Sequence, residues 1–449
     1  MVNDKTAQDD PRPVSAVSSG VGLSGLVGLA FWIIVARNFG TIAAYFGFDA
    51  PALADGPYSA LIAVFCTGLP MVLWSVFVDK VHLRESTGMD WKNPKPVKET
   101  FDTSLTKLTG LWATWAIIAF LYCVCRWYWD DLYLFSMDIM MFAAPILFAV
   151  SIPYVIFLDR FMVEPRDGAF AFGQLFIGNG KPEKETIYNH LRSWTVKGFF
   201  LAFMISIVPG GFGDIVRVDI SEVVTNPVWI AHWLIIAMFV VDVQLATVGY
   251  LLTMKPLDSH IRTANPYMSG WVAALICYPP FALMYPGGPL DYHVNTKDWA
   301  YWFADYPTLL MFWGGILVFL TAIYAWATVA FGLRFSNLTH RGILTHGPYR
   351  WTKHPAYVAK NTYWWLATMP FVVTSGSYVD MIRNFVLIAA VSAVYFWRAK
   401  TEEKHLMSDP AYQEYAAWME RNAPLPKLVN WITGKRSKAR LEAEVQPAE

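Results

Sequence analysis

A chain of 449 residues in which 55% are hydrophobic and only 16% charged is too apolar for a soluble domain, where about a quarter of residues carry charge. Its formal net charge is zero, so nothing points to a nucleic-acid partner, and its 21 Trp suit the aromatic belts of a membrane protein. All four cysteines, Cys66, Cys123, Cys125 and Cys277, fall in apolar runs, and Cys123 and Cys125 stand two apart on different sides of a helix. That is poor geometry for a disulfide or a metal site, so buried, inert thiols are expected and no metal site is read.

The first 20 residues are polar, with Asp4, Asp9 and Asp10. They lack the basic start and short apolar core of a signal peptide and read as a flexible cytoplasmic tail. Apolar runs follow at 21–45, 58–78, 108–127, 134–157, 195–214, 228–253, 267–285, 307–332, 356–375 and 381–398. A span needs about 20 apolar residues, because in lipid the backbone must satisfy its own hydrogen bonds. The fold class expected is therefore all-α, a polytopic transmembrane helical bundle of about ten spans. Arg37 and Asn38 interrupt the first run, and Ser375-Gly376-Ser377 turns between the last two. Asp242 and Gln244 lie inside the sixth, where a carboxylate must face protein or water. Asp242 is read either as a cavity contact or as a helix–helix hydrogen bond, and Arg37 as snorkelling or paired with such an acid.

The charges give direction. With the N-terminus cytoplasmic, the cytoplasmic segments are 1–20, 79–107, 159–198, 255–265, 333–355 and 398–449. They hold all but six of the 35 Lys and Arg, the exceptions being Arg37, Arg126, Arg217, Lys297, Lys360 and Arg383. The opposite loops carry Asp49, Asp55, Asp130, Asp131, Asp214 and Asp291. This positive-inside bias places both termini in the cytoplasm, and a cell inner membrane is expected. No paired inverted halves are evident, which weakens a transporter reading. The organisation read is a tail at 1–20, an N-terminal transmembrane bundle of unknown role at 21–305, a patterned catalytic unit at 306–425 and a polar tail at 426–449.

Two stretches in that unit carry chemistry. The first runs from Thr345 to Tyr357 and contains His346, Gly347, Tyr349, Lys353, His354, Pro355 and Tyr357. Pro355 suits the first turn of a helix, whose free N–H groups can hold a polar ligand atom, and Gly347 permits close backbone approach. The second contains Arg398, Glu402, Glu403 and His405; Arg398, Glu402 and His405 share one helical face, and Tyr412 and Tyr415 follow. Taken singly these are bland, since an acidic pair on a cytoplasmic helix is usually solvated and His-Pro usually only starts a helix.

In this order across a short helical hairpin, they resemble the isoprenylcysteine carboxyl methyltransferase family and its phospholipid-methyltransferase relatives. That family shows Gly-x-Tyr, Arg-His-Pro-x-Tyr, Arg-x-x-x-Glu-Glu and a Tyr-x-x-Tyr tail. The matching residues are Gly347 and Tyr349; His354, Pro355 and Tyr357; Arg398 with Glu402 and Glu403; and Tyr412 with Tyr415. The resemblance covers roughly residues 335–425. It implies an S-adenosylmethionine cofactor met by Glu402, Glu403 and the His346–Tyr357 stretch, and a lipid or isoprenoid acceptor entering from the bilayer. It also implies Arg398 and Lys353 as catalytic residues, Arg398 facing an anionic group of the acceptor. Here Lys353 replaces the family's Arg, keeping the charge but losing the bidentate fork. Ser408-Asp409-Pro410 replaces a usual Gly, and far more membrane precedes the motifs. Two other readings stand beside this one: an NADPH-dependent reductase resembling the sterol C14-reductase family, and a non-catalytic scaffold or transporter. A 2′-phosphate would want an Arg/Lys cluster, whereas a sulfonium wants carboxylates and aromatic faces.

Overall fold

Sustained apolar runs in this sequence become helices, because only a helix satisfies every backbone group within its own segment in hydrocarbon. The computed structural model describes residues 11–424, except Asn179, and also Lys427. In chain order the helices are α1 (Ser19–Arg37), α2 (Phe39–Tyr45), α3 (Pro57–Leu73), α4 (Val97–Val124), α5 (Asp131–Asp159), α6 (Gly168–Ile177), α7 (Lys184–Arg217), α8 (Ile220–Val223), α9 (Pro227–Leu251), α10 (Met268–Leu275), α11 (Trp299–Trp302), α12 (Pro307–Phe331), α13 (Pro355–Thr368), α14 (Tyr378–Leu406) and α15 (Pro410–Asn422). Two short strands, β1 (Thr263–Ala264) and β2 (Thr339–His340), pair antiparallel with Thr263 opposite His340.

Among the described residues, α1, α3, α4, α5, α7, α9, α12 and α14 are long and apolar enough to cross a bilayer, so this is an all-α, multi-pass integral membrane bundle. Two of the ten expected spans differ. The 267–285 run forms only the eight-residue α10, because Pro279 and Pro280 supply no N–H and cannot continue a helix. The 356–375 run ends as α13 at Thr368, where Met369 turns left-handed and Pro370 follows. The chain nevertheless travels from one end of the bundle to the other in both places. Thr263 bonds His405 at the end of α14, whereas Asn295 bonds Asp380 at its start. In the same way, His354 meets Glu403 while Thr374 bonds Asn295.

The middle of the bundle is α7, α9 and α12, with 50%, 56% and 50% of their apolar windows buried; α5, at 17%, is peripheral. With lipid as apolar as the side chains, close packing holds such helices together. Gly28 of α1 lies against the Cys66 carbonyl of α3, and Gly110 of α4 against the Ala169 carbonyl of α6; a Cβ at either would collide with backbone. All four thiols are free, and Cys123 is exposed on the outside of α4 rather than buried. Asp242 accepts from the Tyr324 hydroxyl at 2.8 Å and from Thr328, joining α9 to α12 as a helix–helix bond. Among the described residues Arg37 has no acidic partner within ion-pair distance. It donates to the carbonyls of Ile215, Val216 and Val218, where the end of α7 leaves acceptors free. The expected flexible tail is packed over Pro13–Ser18, with Ser18 donating to Asp79 at 2.6 Å and the Ala16 amide to the Ile343 carbonyl at 2.9 Å. The expected C-terminal tail at 426–449 lies outside the described residues except for Lys427.

Candidate active site

The site is built where α12 stops. Gly332 takes φ +51° and ends the helix, and the chain then folds back across the bundle end as residues 333–354. Arg341 anchors that return. Its guanidinium, 3% exposed, donates to the carbonyls of Leu333 and Phe335 beyond α12, Gly249 in α9 and Ser259. Its five donors meet the acceptors that two helix ends leave open. Burial and the neighbouring Arg334 lower its pKa to about 9. Arg334 itself pairs with Asp258 at 2.5 Å, both buried.

Pro355 opens α13 as expected, and α13 runs antiparallel to α12 and α14. Trp313 donates to the Leu366 carbonyl at 2.9 Å, and Trp365 to Ser392 at 3.0 Å. This antiparallel hairpin carries the two motif stretches to each other. Glu403 is held by His354 at 3.0 Å, Lys353 at 2.9 Å and Lys400 at 3.1 Å. Glu402 accepts from the Tyr357 hydroxyl and lies 3.3 Å from Arg398 Nε. Arg398, 3% exposed, also donates to Asn337 Oδ1 at 2.6 Å and lies over the rings of Tyr278 and Tyr357 at 5.4 and 5.2 Å. The His354 and Tyr357 rings stack at 5.6 Å. α15, capped by Asp409, closes the end: Tyr415 donates to the Tyr349 carbonyl at 2.6 Å. Burial drives the Tyr349 hydroxyl well above its usual pKa.

These groups enclose a cavity of about 190 Å³. Of the expected site residues, Tyr349, Lys353, His354, Tyr357, Arg398 and Glu402 line it, as does His405. His346, Gly347, Pro355 and Glu403 do not. His346 turns away from the cavity and is buried against the N-terminal segment, 2.8 Å from Ser15, with burial and Arg12 lowering its pKa. Gly347 faces Trp326, Pro355 only starts α13, and Glu403 stands behind His354. The lining adds residues that sequence reading missed: Tyr278 and Asn337 beside Arg398, His340 at the loop end, and Tyr324, Lys360 and Tyr395 deeper between the helices. Tyr278 precedes the motif unit, so the N-terminal bundle supplies part of the wall. Lys360 did carry a signal, as one of the six basic residues outside the cytoplasmic segments.

Among the described residues, the lining offers one carboxylate, several aromatic faces and two buried polar atoms without a hydrogen-bond partner, Tyr412 Oη and His340 Nε2. His340 Nε2 is 3.0 Å from Asp409 Oδ2 but poorly aligned with it. Such orphaned atoms suit a polar ligand, and a carboxylate among aromatic faces suits a cationic one. Neither a curated protein nor a solved structure matches the chain. Most of the segments that wall the cavity, residues 308–408 from α12 through α14, match the isoprenylcysteine carboxyl methyltransferase (ICMT) family, while Tyr278, Tyr412 and Tyr415 lie outside the matched stretch.

Proposed function

We propose that this protein is an integral-membrane methyltransferase that uses S-adenosylmethionine and acts on a lipid or isoprenoid-linked acceptor taken from the bilayer. It would sit in a cell inner membrane, with its cofactor arriving from the cytoplasm. The reading rests on one observation: the family match falls on the elements that wall a cavity running from the polar loops down between the helices. When bound, the cofactor supplies a methyl group on a positively charged sulfur. Glu402 would face that charge, Tyr349 and Tyr357 would offer ring faces, and Tyr412 and His340 would gain partners for their orphaned atoms. Glu403 would act from behind, since it orients His354 and Lys353. Lys353 brings a point charge where the family has a fork, and its pairing with Glu403 makes it a positioning group in this arrangement.

The NADPH reading needs cations free to clasp a 2′-phosphate. Among the described residues, the cations that border the cavity's loop end are engaged: Arg334 with Asp258, Arg341 with carbonyls, and Lys353 and Lys400 with Glu403. Arg350 lies on Trp351 at 4.5 Å. This favours the sulfonium cofactor. Calorimetry on the full chain in detergent tests the choice. S-adenosylmethionine and its demethylated product are expected to bind saturably and NADPH not to bind. The inverse result overturns the reading, and binding of none of them supports a non-catalytic scaffold. Glu402→Gln removes a charged acceptor and is expected to weaken cofactor binding by about tenfold or more. Unchanged affinity would mean that the cofactor lies elsewhere.

A further inference from the structure

The methyltransferase reading gives the chain before residue 308 little to do beyond placing Tyr278, yet that part walls a larger cavity. It encloses about 570 Å³ between α4, α5, α7 and the loop that follows α9. Apart from His405 and Ser408, its lining precedes residue 308, where the family match begins. His405, bonded to Thr263, stands between this cavity and the one walled by the motif stretches. Its rim lies at the basic end of the bundle, where Glu183 and Glu185 are exposed. Glu185 is neutralised there by Arg192 at 2.8 Å.

Inside the rim the charges do not balance. Three lysines, Lys107, Lys197 and Lys255, share the lining with two carboxylates, Asp159 and Asp167. Both carboxylates are committed to Lys107, at 2.6 and 3.1 Å. Their other oxygens are taken as well, that of Asp159 by Ser104 and that of Asp167 by the first amides of α6. Lys197 and Lys255 are only partly exposed. Among the described residues neither has a hydrogen-bond acceptor or a carboxylate within ion-pair distance. Lys197 lies on the Trp194 ring at 4.3 Å, which favours its charge but takes no N–H. His260 Nδ1 is buried without a hydrogen-bond partner, and Lys255 is near enough for its charge to help burial keep that ring neutral. Ammonium groups withdrawn from water without a counter-ion are costly, and an anion removes that cost.

We propose that this second cavity binds a phosphomonoester, with the phosphate held by Lys197 and Lys255 and the esterified group lying against α4 and α5. Two uncommitted ammonium groups match the nearly two negative charges of a monoester at neutral pH, whereas a diester brings only one. Lysine suits the group as a point charge with three donors, each making a charge-assisted bond. The neutral His260 ring can carry its proton on Nδ1 and add a further donor. The volume is far more than an inorganic phosphate fills, and Leu111, Tyr154 and Leu158 supply an apolar wall for an organic part. The site binds and makes or breaks no bond. It stands apart from the methyltransferase reading, because neither lysine lines the first cavity. A soluble ester and a phosphatidic acid headgroup present the same chemistry, so both are probed.

The test is calorimetry on the full chain in maltoside detergent at about pH 7.5, where a phosphomonoester is close to doubly charged. Dihexanoyl phosphatidic acid is compared with dihexanoyl phosphatidylglycerol, a diester, and phenyl phosphate with phenol. At least one monoester is expected to bind saturably, and at least about tenfold tighter than its counterpart. Tighter binding of phosphatidic acid identifies a lipid headgroup and tighter binding of phenyl phosphate a soluble ester, and each supports the site. Lys197→Met and Lys255→Met are each expected to weaken that binding about tenfold or more, and Lys255→Arg to keep it. Lys360→Met, in the first cavity, is expected to leave it unchanged. Four results overturn the proposal: no saturable binding of either monoester, no preference over the counterpart, undiminished affinity in Lys197→Met or Lys255→Met, or a loss in Lys360→Met. The wild-type comparison decides even if a variant does not fold.

Discussion

His340 shows how one side chain couples the cavity to pH. It is 6% exposed, and burial, helped by Arg262 and Arg334 against the pull of Asp409, lowers its pKa to about 4. His260, in the facing loop, is lowered to about 4 by burial too. In the unfolded chain both titrate near 6.5. Between those values the unfolded state binds more protons, so stability rises with pH across the window and is lost as pH falls from about 6.5 toward 4. The apparent melting temperature in detergent is expected to drop between pH 7 and pH 5, and His340→Asn to flatten part of that drop. An equal slope in the variant would show that His340 is not a source of the linkage. At this scale the sequence was uneven in what it made legible. Glu402, Tyr357 and His354 stood out because they belong to two short contiguous stretches. Tyr278 and Asn337 did not, because tertiary packing, which no local spacing encodes, brings them to Arg398.

Among the elements, the return loop between α12 and α13 is clamped from two sides. Inside, Arg341 ties it to the ends of α9 and α12. Arg341→Met would leave several buried carbonyls without a donor, at about 1–3 kcal/mol for each one left unsatisfied. A large fall in apparent melting temperature is expected, and a loss within a few degrees would show that water replaces the guanidinium. Outside, the segment Pro13–Ser18 lies along the loop. Thr345 donates to the Pro13 carbonyl at 2.6 Å, Ser15 meets His346, and Arg84 holds the Ala16 carbonyl at 2.9 Å. Deleting residues 1–18 is expected to speed hydrogen exchange of the 341–346 amides while leaving α9 unchanged. Unaltered exchange in the loop would mean that Arg341 alone fixes it. Polar composition made this segment read as a free tail, because composition does not reveal a few backbone bonds to a distant loop. Hydropathy located the eight long helices well, since a continuous apolar run has one outcome in lipid. It misjudged 267–285 and 356–375, where proline and a left-handed turn stop the helix inside an apolar run.

For the molecule as a whole, the question is which end faces which compartment. The basic segments gather at one end: the Lys95 amide bonds the Arg160 carbonyl, Asn189 bonds the Arg262 carbonyl, Thr263 bonds His405, and Ser15 bonds His346. The acidic loops meet at the other, where Arg217 pairs with Asp55 at 2.9 Å and Asn295 bonds Asp380. The two ends therefore differ in charge as sharply as the sequence segments did, and the short crossings at α10 and α13 preserve the alternation. Because Lys and Arg resist translocation, the basic end, with the motif stretches and the described Pro13–Ser18 segment, is expected to face the cytoplasm. Single cysteines in a variant lacking Cys66, Cys123, Cys125 and Cys277 test this, and the exposed positions Glu183 and Asp130 suit them. A membrane-impermeant maleimide is expected to label Asp130→Cys in cells whose inner membrane is intact, and Glu183→Cys only after lysis. The reverse pattern would put the cavity's loop end on the side that a cytoplasmic cofactor cannot reach. The cofactor assignment would then fail together with the orientation, because both depend on the same end of the bundle.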